Sequence, residues 1–408
     1  MASERTRITY RLELRRAVAS GALESGGSTF LLLIAVRWFQ AGATAKGLVA
    51  AGGSAGLLFS PWVVSRVAAL GWPATLAAAR LAAVGAGCFV VMAALPWLPV
   101  YVAGCLLSMA AAALAAPLLA QVYQENYPAA QRGRLFSHAV MVRIGSVALC
   151  SELTGRWLAA DLGQFRWLLL VYAAAFAYGS RCLARYPSRP LADAGGSHPF
   201  RAMRFVRQDR LFRQTLICWM LMGFANMMML PMRVEYLANQ RYGRALDTAV
   251  IAFLIGVLPS LARLGMCPVW GLLFDRMNFF VLRVIVNLGF ALGVLVFFLS
   301  GSFTGLVVGA VVFGMSNAGG DVAWGLWVTK FAPPAHVADY MSVHTFFTGV
   351  RGVVAPLVAF HFVRGLPLAT LGWISAGLMV AASVLLLPEI KHGWRLGRGA
   401  ALLEEVVE

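Results

Sequence analysis

Charged side chains are scarce in this sequence, and acidic ones are the scarcest. Charged residues make up 12% of the 408 positions, and only 17 positions are Asp or Glu. Soluble domains carry about 25% charged residues, which keep their surfaces hydrated. Hydrophobic residues instead make up 60% of this chain, and its mean hydropathy is +0.75. This composition excludes an ordinary soluble protein and predicts a polytopic membrane protein.

Cysteine is also rare, and the six cysteines are never grouped. No Cys-x-x-Cys pair or metal-ligand spacing occurs, so we expect free thiols, no metal and no cofactor. The chain lacks a phosphate-binding loop and any triad-like set of polar residues, which argues against an enzyme and leaves no catalytic residue to assign. A charge of +17 suggests nucleic acid. The arginines lie in short clusters between apolar runs without a groove-reading motif, however, so we expect no nucleic-acid partner.

Long polar intervals are lacking too, with one exception. Residues 181–213 hold eight arginines against two aspartates, and residues 187–199 within them are rich in Pro, Gly and Ser. Residues 199–213 alternate apolar and basic side chains in a roughly helical rhythm. This rhythm predicts a short amphipathic helix on the membrane surface, with its arginines toward lipid phosphates. A merely solvated linker is the alternative.

Two sets of apolar runs flank this interval. A bilayer core of about 30 Å requires roughly 20 apolar residues per helix, and this criterion predicts six spans on each side. We therefore expect an all-α integral membrane protein with twelve transmembrane helices in two pseudo-symmetric six-helix bundles, 1–183 and 212–390. A cytoplasmic basic linker, 184–211, joins them, and a cytoplasmic tail, 391–408, follows. The predicted spans are 17–40, 47–69, 74–95, 98–120, 135–160, 165–183, 212–237, 247–272, 279–300, 303–328, 341–363 and 367–387.

The distribution of lysine and arginine predicts the orientation in the membrane. With both termini inside, the cytoplasmic segments hold 22 of these residues and the opposite side holds 8. Basic loops are retained in the cytoplasm. We therefore expect a multi-pass protein of the cytoplasmic (inner) membrane, with both termini on the cytoplasmic side.

The segment GLLFDRMNFFVLR follows the eighth predicted span. Its Gly271, Asp275, Arg276 and Arg283 resemble the loop signature of the major facilitator superfamily, in which a glycine, an Asp-Arg pair and a later basic residue follow an even-numbered span. The resemblance implies that this loop acts in gating, by steadying one alternating conformation of a transporter. We expect Gly271 to allow close helix approach and Asp275 to accept from N–H groups at a neighbouring helix start. The equivalent loop of the first half departs from the signature, because a serine replaces the aspartate.

Ionisable residues inside the predicted spans are few, since a charge at bilayer depth costs at least about 2.5 to 3.5 kcal/mol. The resemblance implies that spans 1, 2, 4, 5, 7, 8, 10 and 11 line a central cavity, and the charged candidates all fall on these spans. Helical spacing places Asn317 on the face that carries Asp321, and Asn226 on a face with Met222 and Met229. We therefore expect a pathway for substrate and protons. Its candidate residues are Glu24, Arg143, Glu152, Asn226, Arg263, Asn317, Asp321, His344 and Arg351.

These candidates also have structural interpretations. In one structural interpretation, Asp321 forms an ion pair with Arg351 or Arg263. Such a pair is fixed, because breaking it leaves a buried charge and costs about 3 to 5 kcal/mol. Glu24 is the hardest to explain structurally, since no arginine lies within a helical turn of it. Burial without a fixed partner favours the protonated form of a carboxyl. We expect Glu24 to carry protons, and Arg143 together with Arg351 to bind an anionic group.

Together these features favour a secondary transporter that moves a small solute by alternating access through a site between the bundles. Proton coupling through Glu24 or Asp321 is part of this hypothesis. An uncoupled facilitator and a non-transporting membrane sensor of the same fold are the alternatives. We expect a monomer whose partners are the small-molecule substrate and membrane lipid.

Overall fold

The computed structural model of the chain describes residues 4–190, 199–326 and 337–390. Over these ranges it is almost entirely helical, because backbone groups in a lipid core must bond with one another. Six long helices precede the linker: α1 Glu4–Arg37, α2 Ala43–Ala69, α3 Ala74–Ala94, α4 Leu98–Asn126, α5 Ala129–Ala160 and α6 Phe165–Leu183. A short helix and six long ones follow: α7 Pro199–Gln208, α8 Arg210–Ala238, α9 248–276, α10 Phe279–Leu299, α11 Phe303–Leu326, α12 Val337–Phe362 and α13 Leu368–Leu386.

The long helices confirm the predicted all-α membrane architecture, with shifted helix ends. Ten of the described helices are long and apolar enough to span a membrane, whereas α5 and α6 fall short because arginines lie within them. The largest shift is at α1, which begins at Glu4 and not at residue 17. Buried hydrogen bonds explain this early start. The Thr6 hydroxyl donates to the Asn126 carbonyl (2.7 Å), and the Asn126 side chain donates to Thr9 (3.0 Å).

The long helices pack as two bundles, α1–α6 and α8–α13, which meet along several helix pairs. Helix α2 contacts α12, α5 contacts α9, and α1 contacts α8. The α2–α12 seam is very close at Gly349, where a methyl group would meet the backbone of Leu58. Small residues are common at such seams because helices in lipid associate through close van der Waals packing. The interface between the bundles is thus formed by helices that carry most of the charged candidates.

Polar contacts join the bundles at the end opposite the linker. Lys46 Nζ on α2 lies 2.6 Å from Glu235 Oε1 on α8, and both side chains are buried. Arg37 at the end of α1 donates to the Thr248 hydroxyl (3.0 Å) and to backbone carbonyls of α8 and the α8–α9 loop. Buried ionic networks with good geometry hold two surfaces in one register. We refer to Arg37, Lys46 and Glu235 as the end seal.

The linker contains a helix over part of 199–213. Helix α7 ends at Gln208, and Asp209 begins α8 by accepting a hydrogen bond from the Phe212 N–H (2.8 Å), which satisfies an exposed donor of the first turn. The apolar face of α7 packs on α12, where the Phe205 and Tyr340 rings lie 5.0 Å apart. The Tyr340 hydroxyl also donates to Asp209 (3.0 Å). The linker helix is therefore attached to the second bundle, while the predicted tail, 391–408, lies outside the described residues.

Candidate functional site

Four charged side chains meet between the bundles. Glu24 lies 3.2 Å from Arg143 Nε and 2.9 Å from Arg263 Nη1. Arg263 Nε also donates to Asp321 at 2.5 Å. These residues belong to α1, α5, α9 and α11, so the series Arg143–Glu24–Arg263–Asp321 crosses from one bundle to the other. We refer to the four residues as the ion quartet.

Wide helical turns lie next to the quartet on both sides of the bundle interface. A π-helical turn, Gly26–Phe30, begins just after Glu24 in α1. Another, Phe253–Val257, precedes Arg263 in α9, and the two turns contact each other. Turns of this kind are rare and occur frequently at functional sites. Their position marks the meeting point of α1 and α9 as irregular, in contrast to the regular helices around it.

The quartet is neutral overall and partly accessible. Side-chain exposure is 32% for Glu24, 37% for Arg143 and 41% for Asp321, but only 10% for Arg263. The expectation that Glu24 has no fixed partner is wrong, because arginines from two other helices pair with it. Sequence spacing could not show this, since both arginines come from distant parts of the chain. Arg263, and not Arg351, is the partner of Asp321.

A cavity of about 350 Å³ adjoins the quartet inside the first bundle. It lies between α1 and α4, with Glu24 and Arg143 at one end. Nine alanines from five helices line it, and their short side chains leave the space unfilled. Small-molecule sites typically have volumes of about 300 to 1,000 Å³ and a few polar groups in an apolar wall. The cavity has the size and lining of a small-molecule site.

A second ion pair lies at the other end of the cavity. Glu13 and Arg16, one turn apart in α1, form two hydrogen bonds of 2.6 and 2.9 Å. The Tyr186 hydroxyl donates to Glu13 at 2.5 Å, and Arg16 donates to Tyr123 and Ser20. Burial, together with the Glu13 carboxylate, raises the pKa of Tyr186, so the phenol keeps its proton and remains a donor. This end of the cavity is held by a saturated hydrogen-bond network.

Two predicted pathway residues lie elsewhere, inside the second bundle. Arg351 donates to the Trp219 carbonyl, and His344 packs against the Trp219 ring at 5.4 Å between centroids. Arg283 Cζ lies 3.4 Å from the centroid of the same ring. Arg283 is 2%, Arg351 8% and His344 0% exposed. We refer to Trp219, Arg283, His344 and Arg351 as the arginine–tryptophan cluster.

The arginine–tryptophan cluster does not fit the expectation that Arg143 and Arg351 together bind an anionic group. Arg351 is packed against Trp219, whereas Arg143 lies beside Glu24, so the structure does not unite the two arginines in a shared site. Within the described ranges, no carboxylate lies at ion-pair distance from Arg351 or Arg283. Among the described residues, the Trp219 ring contacts the guanidinium of Arg283 and the Trp219 carbonyl accepts from Arg351.

Among the described residues, the remaining pathway candidates form no ion pair with the quartet. Glu152 pairs with Arg156, one turn further along α5, at 2.5 Å. This pair is largely exposed on the Arg156 side, so it contributes little to stability. Asn226 on α8 and Asn317 on α11 are half-buried.

The signature segment is mostly helical. Helix α9 ends at Arg276, which is exposed, and Arg283 lies within α10 and not in the loop. Gly271 does not mediate a close approach to any described helix, because a methyl group there would meet no atom of the described residues within 4 Å. The side chain of Asp275 lies outside the described residues. The close glycine contacts of the fold occur instead at seams such as Gly349.

Sequence reasoning missed the end seal and the Glu13–Arg16 pair. The i,i+3 spacing of Glu13 and Arg16 is a signal for a helical ion pair, but the apolar criterion begins the first span only after them. Lys46 and Glu235 are 189 residues apart, so no local pattern connects them. Such a pair becomes visible only when the packing of α2 on the second bundle is known.

The chain is similar to a known family of membrane proteins. A family model described as Major Facilitator Superfamily matches residues 75–356. A variant of the nucleoside transporter NupG is 15% identical with a TM-score of 0.76, over 93% of this chain and 99% of that one. A D-xylose–proton symporter is 16% identical with a TM-score of 0.66, over 94% and 95%. A POT family transporter in complex with a thioalcohol-conjugated peptide is 13% identical with a TM-score of 0.72, over 96% of each chain. No curated protein matches the chain by sequence.

Proposed function

Because the chain belongs to the Major Facilitator Superfamily, it is a multi-pass membrane transporter that works by alternating access and not an enzyme, and we propose that proton binding at the ion quartet drives it. The observation that carries this proposal is the Glu24–Arg263 ion pair, which joins α1 of the first bundle to α9 of the second. Alternating access requires the bundles to separate on one side and then on the other. A group that links the bundles and changes charge on protonation is suited to couple proton binding to the separation of the bundles.

Protonation of Glu24 removes the charge that attracts both of its arginines. Arg263 then keeps only Asp321, which lies in its own bundle. The link between the bundles through the quartet is lost, while the pair between α9 and α11 remains. Deprotonation restores the link, because the carboxylate again attracts Arg263. The D-xylose–proton symporter of similar structure supports a proton-coupled mechanism on this fold.

The end seal supports an assignment of the closed side. We place the linker and both termini in the cytoplasm, as the arginine and lysine distribution favours. The end seal then lies on the outer side of the cytoplasmic membrane. Among the described residues, hydrogen bonds at the linker end, such as that from Gln214 to the Leu385 carbonyl (2.8 Å), stay within one bundle. In this proposal the structure is inward-facing.

We assign residues 1–183 and 212–390 to the two bundles, 184–211 to the cytoplasmic linker and 391–408 to the cytoplasmic tail. The transported partner is a small molecule. The chain acts as a monomer without nucleic acid, and the exposed linker arginines face lipid headgroups. The quartet is the proton site in this proposal, whereas Glu152, His344 and Arg351 have structural roles.

Transport by the purified chain in liposomes tests the proposal. Labelled nucleosides, pentoses, peptides and organic acids are supplied with and without a pH gradient. We expect Glu24→Gln to retain solute exchange but to lose accumulation on the gradient, because Gln keeps the shape and the hydrogen bonds but cannot ionise. The control is Asp161→Asn, which changes a carboxyl in the exposed α5–α6 turn and preserves its cap.

Two results would contradict the proposal. Accumulation that survives in Glu24→Gln would show that the required proton binds elsewhere. A wild-type chain that equilibrates solutes but never concentrates them would be an uncoupled facilitator. Exchange by the variant shows that it folds, so lost accumulation is not a folding defect.

A further inference from the structure

Two arginines line the cavity beside the quartet, and they differ in how many of their N–H groups are hydrogen-bonded within the protein. Arg16 uses all three guanidinium nitrogens: Nε and Nη2 donate to Glu13, Nη1 donates to Ser20, and Nη2 also donates to Tyr123. Its charge is balanced by a carboxylate that is 5% exposed. A charge-balanced guanidinium with four of its five N–H groups already bonded has little capacity left for a ligand.

Arg143 retains this capacity. Its Nε lies 3.2 Å from Glu24, but no atom in the described part of the chain accepts a hydrogen bond from its guanidinium. The side chain is 37% exposed and lines the cavity. A guanidinium presents parallel N–H groups that match the two oxygens of a carboxylate. Arg143 is therefore the cavity cation that is available to an anionic solute.

The rest of the cavity is small and apolar. Its walls between Arg143 and the Glu13–Arg16 pair are mostly apolar, with nine alanines among them, and its volume of about 350 Å³ is near the lower limit for small-molecule sites. Alanine offers no side-chain hydrogen bonds, so a solute with a polar body would lose its hydration there. Resting on the proposed function, we infer that the solute is a small organic carboxylate. Its anionic group binds Arg143, and its compact apolar body lies between α1 and α4.

Charge balance connects this solute to the proton. The quartet contains two carboxylates and two guanidinium groups, so an added anion leaves one negative charge in excess at a partly buried site. Glu24 faces Arg143 from α5 and Arg263 from α9, and Asp321 of α11 lies beyond Arg263. One proton from solution adds to a Glu24 carboxylate oxygen and restores neutrality. The solute carboxylate then replaces Glu24 at Arg143, and one proton crosses with one anion.

Matched pairs of solutes test this inference. The probes are labelled unbranched monocarboxylates of increasing chain length, each compared with its amide, which has nearly the same shape but no charge. Uptake into liposomes containing the full chain is measured with a pH gradient and, separately, with a potassium diffusion potential. Protein-free liposomes give the blank. We expect carboxylates to accumulate on the pH gradient, and the uptake of each amide to be at least about tenfold lower than that of its acid. The potassium diffusion potential alone should have no effect on uptake.

Variants with matched controls locate the site. Arg143→Lys should lower carboxylate uptake about tenfold, because an ammonium group cannot form the two parallel hydrogen bonds. Arg156→Lys, on the same helix and 75% exposed, should leave uptake unchanged. Ala115→Leu fills the cavity wall and should shift preference toward shorter acids. Ala120→Leu, on an exposed face of α4 outside the cavity, should not.

The outcomes separate this inference from the proposed function. Amides transported as well as acids, or carboxylate uptake unchanged in Arg143→Lys, would overturn the carboxylate site. A neutral solute that accumulates in a Glu24-dependent manner would remove the carboxylate assignment and leave proton coupling in place. If Arg143→Lys does not fold, the comparison of acids with amides and the length shift in Ala115→Leu decide the question.

Discussion

The ion quartet and the arginine–tryptophan cluster contain two arginines each, at similar cost to membrane insertion, but in different surroundings. Each quartet arginine has a carboxylate partner, and the series of ion pairs crosses between bundles. The cluster lies within one bundle, where Arg283 and Arg351 are almost fully buried and rest on Trp219. The difference shows that an intramembrane charge does not identify a transport pathway by itself. Counter-charge and access to water distinguish a site whose charged side chains can exchange ion-pair partners from one whose charged side chains are held by packing.

The largest effect is expected when the quartet loses its central residue. Arg263→Met leaves Glu24 and Asp321 without their shared guanidinium. Breaking a buried pair costs about 3 to 5 kcal/mol, and we expect about 2 to 4 kcal/mol here because both carboxylates are roughly a third exposed. The shift in melting temperature of the detergent-solubilised protein, followed by tryptophan fluorescence, measures this loss.

A rescue experiment serves as the control for that loss. Adding Asp321→Asn to Arg263→Met removes the carboxylate that is left without a partner, while Glu24 keeps its pair with Arg143, so most of the lost stability should return. If the double variant melts as low as Arg263→Met alone, the destabilisation comes from lost packing of the arginine stem and not from charge.

Access to water is the second point of the comparison. Ser20→Cys places a thiol in the quartet cavity, whereas Thr348→Cys places one beside the cluster, where Thr348 is 5% exposed. A membrane-impermeant thiol reagent added from the linker side should modify the first at least about tenfold faster, since only the thiolate in water reacts readily. Both variants are made in a background in which the half-buried Cys88, Cys150 and Cys267 are replaced by alanine. Equal rates would show that the cluster is as wet as the quartet.

The fold was largely predictable because its signal is local. An apolar run of bilayer length, or the turn after it, can be recognised in a sequence window of about 20 residues. The described helices follow these runs closely. The early start of α1 is the exception, since Thr6 and Asn126 extend the helix through a contact 120 residues apart. Helix ends of this kind depend on tertiary hydrogen bonds, which the hydropathy of one segment does not contain.

The candidate site was predictable in its residue types but not in its pairings. Charge inside an apolar span identified Glu24, Arg143, Arg263 and Asp321, because only a few residues have this property. Which arginine meets which acid depends on helix rotation and packing between the bundles, so Arg351 was assigned to the pathway although it contacts Trp219. The cavity could not be predicted either, since its alanines are also ordinary helix formers and only their convergence on one space gives them a role.

The smallest effect is expected at Arg283, and it is the sharpest test of the comparison. Arg283→Met removes a buried guanidinium that has no carboxylate within ion-pair distance in the described ranges, and thereby removes the cost of its desolvation. It also removes the stacking on Trp219, which is worth up to about 2 kcal/mol when desolvated. Methionine is flexible and apolar, so it fills the space beside Met222, the residue that the guanidinium contacts at 3.4 Å. These effects oppose each other, and we expect stability to change by less than about 1 kcal/mol in either direction. A loss as large as that of Arg263→Met in the same melting experiment would show that the cluster, like the quartet, depends on its charge, and the distinction between the two sites would fail.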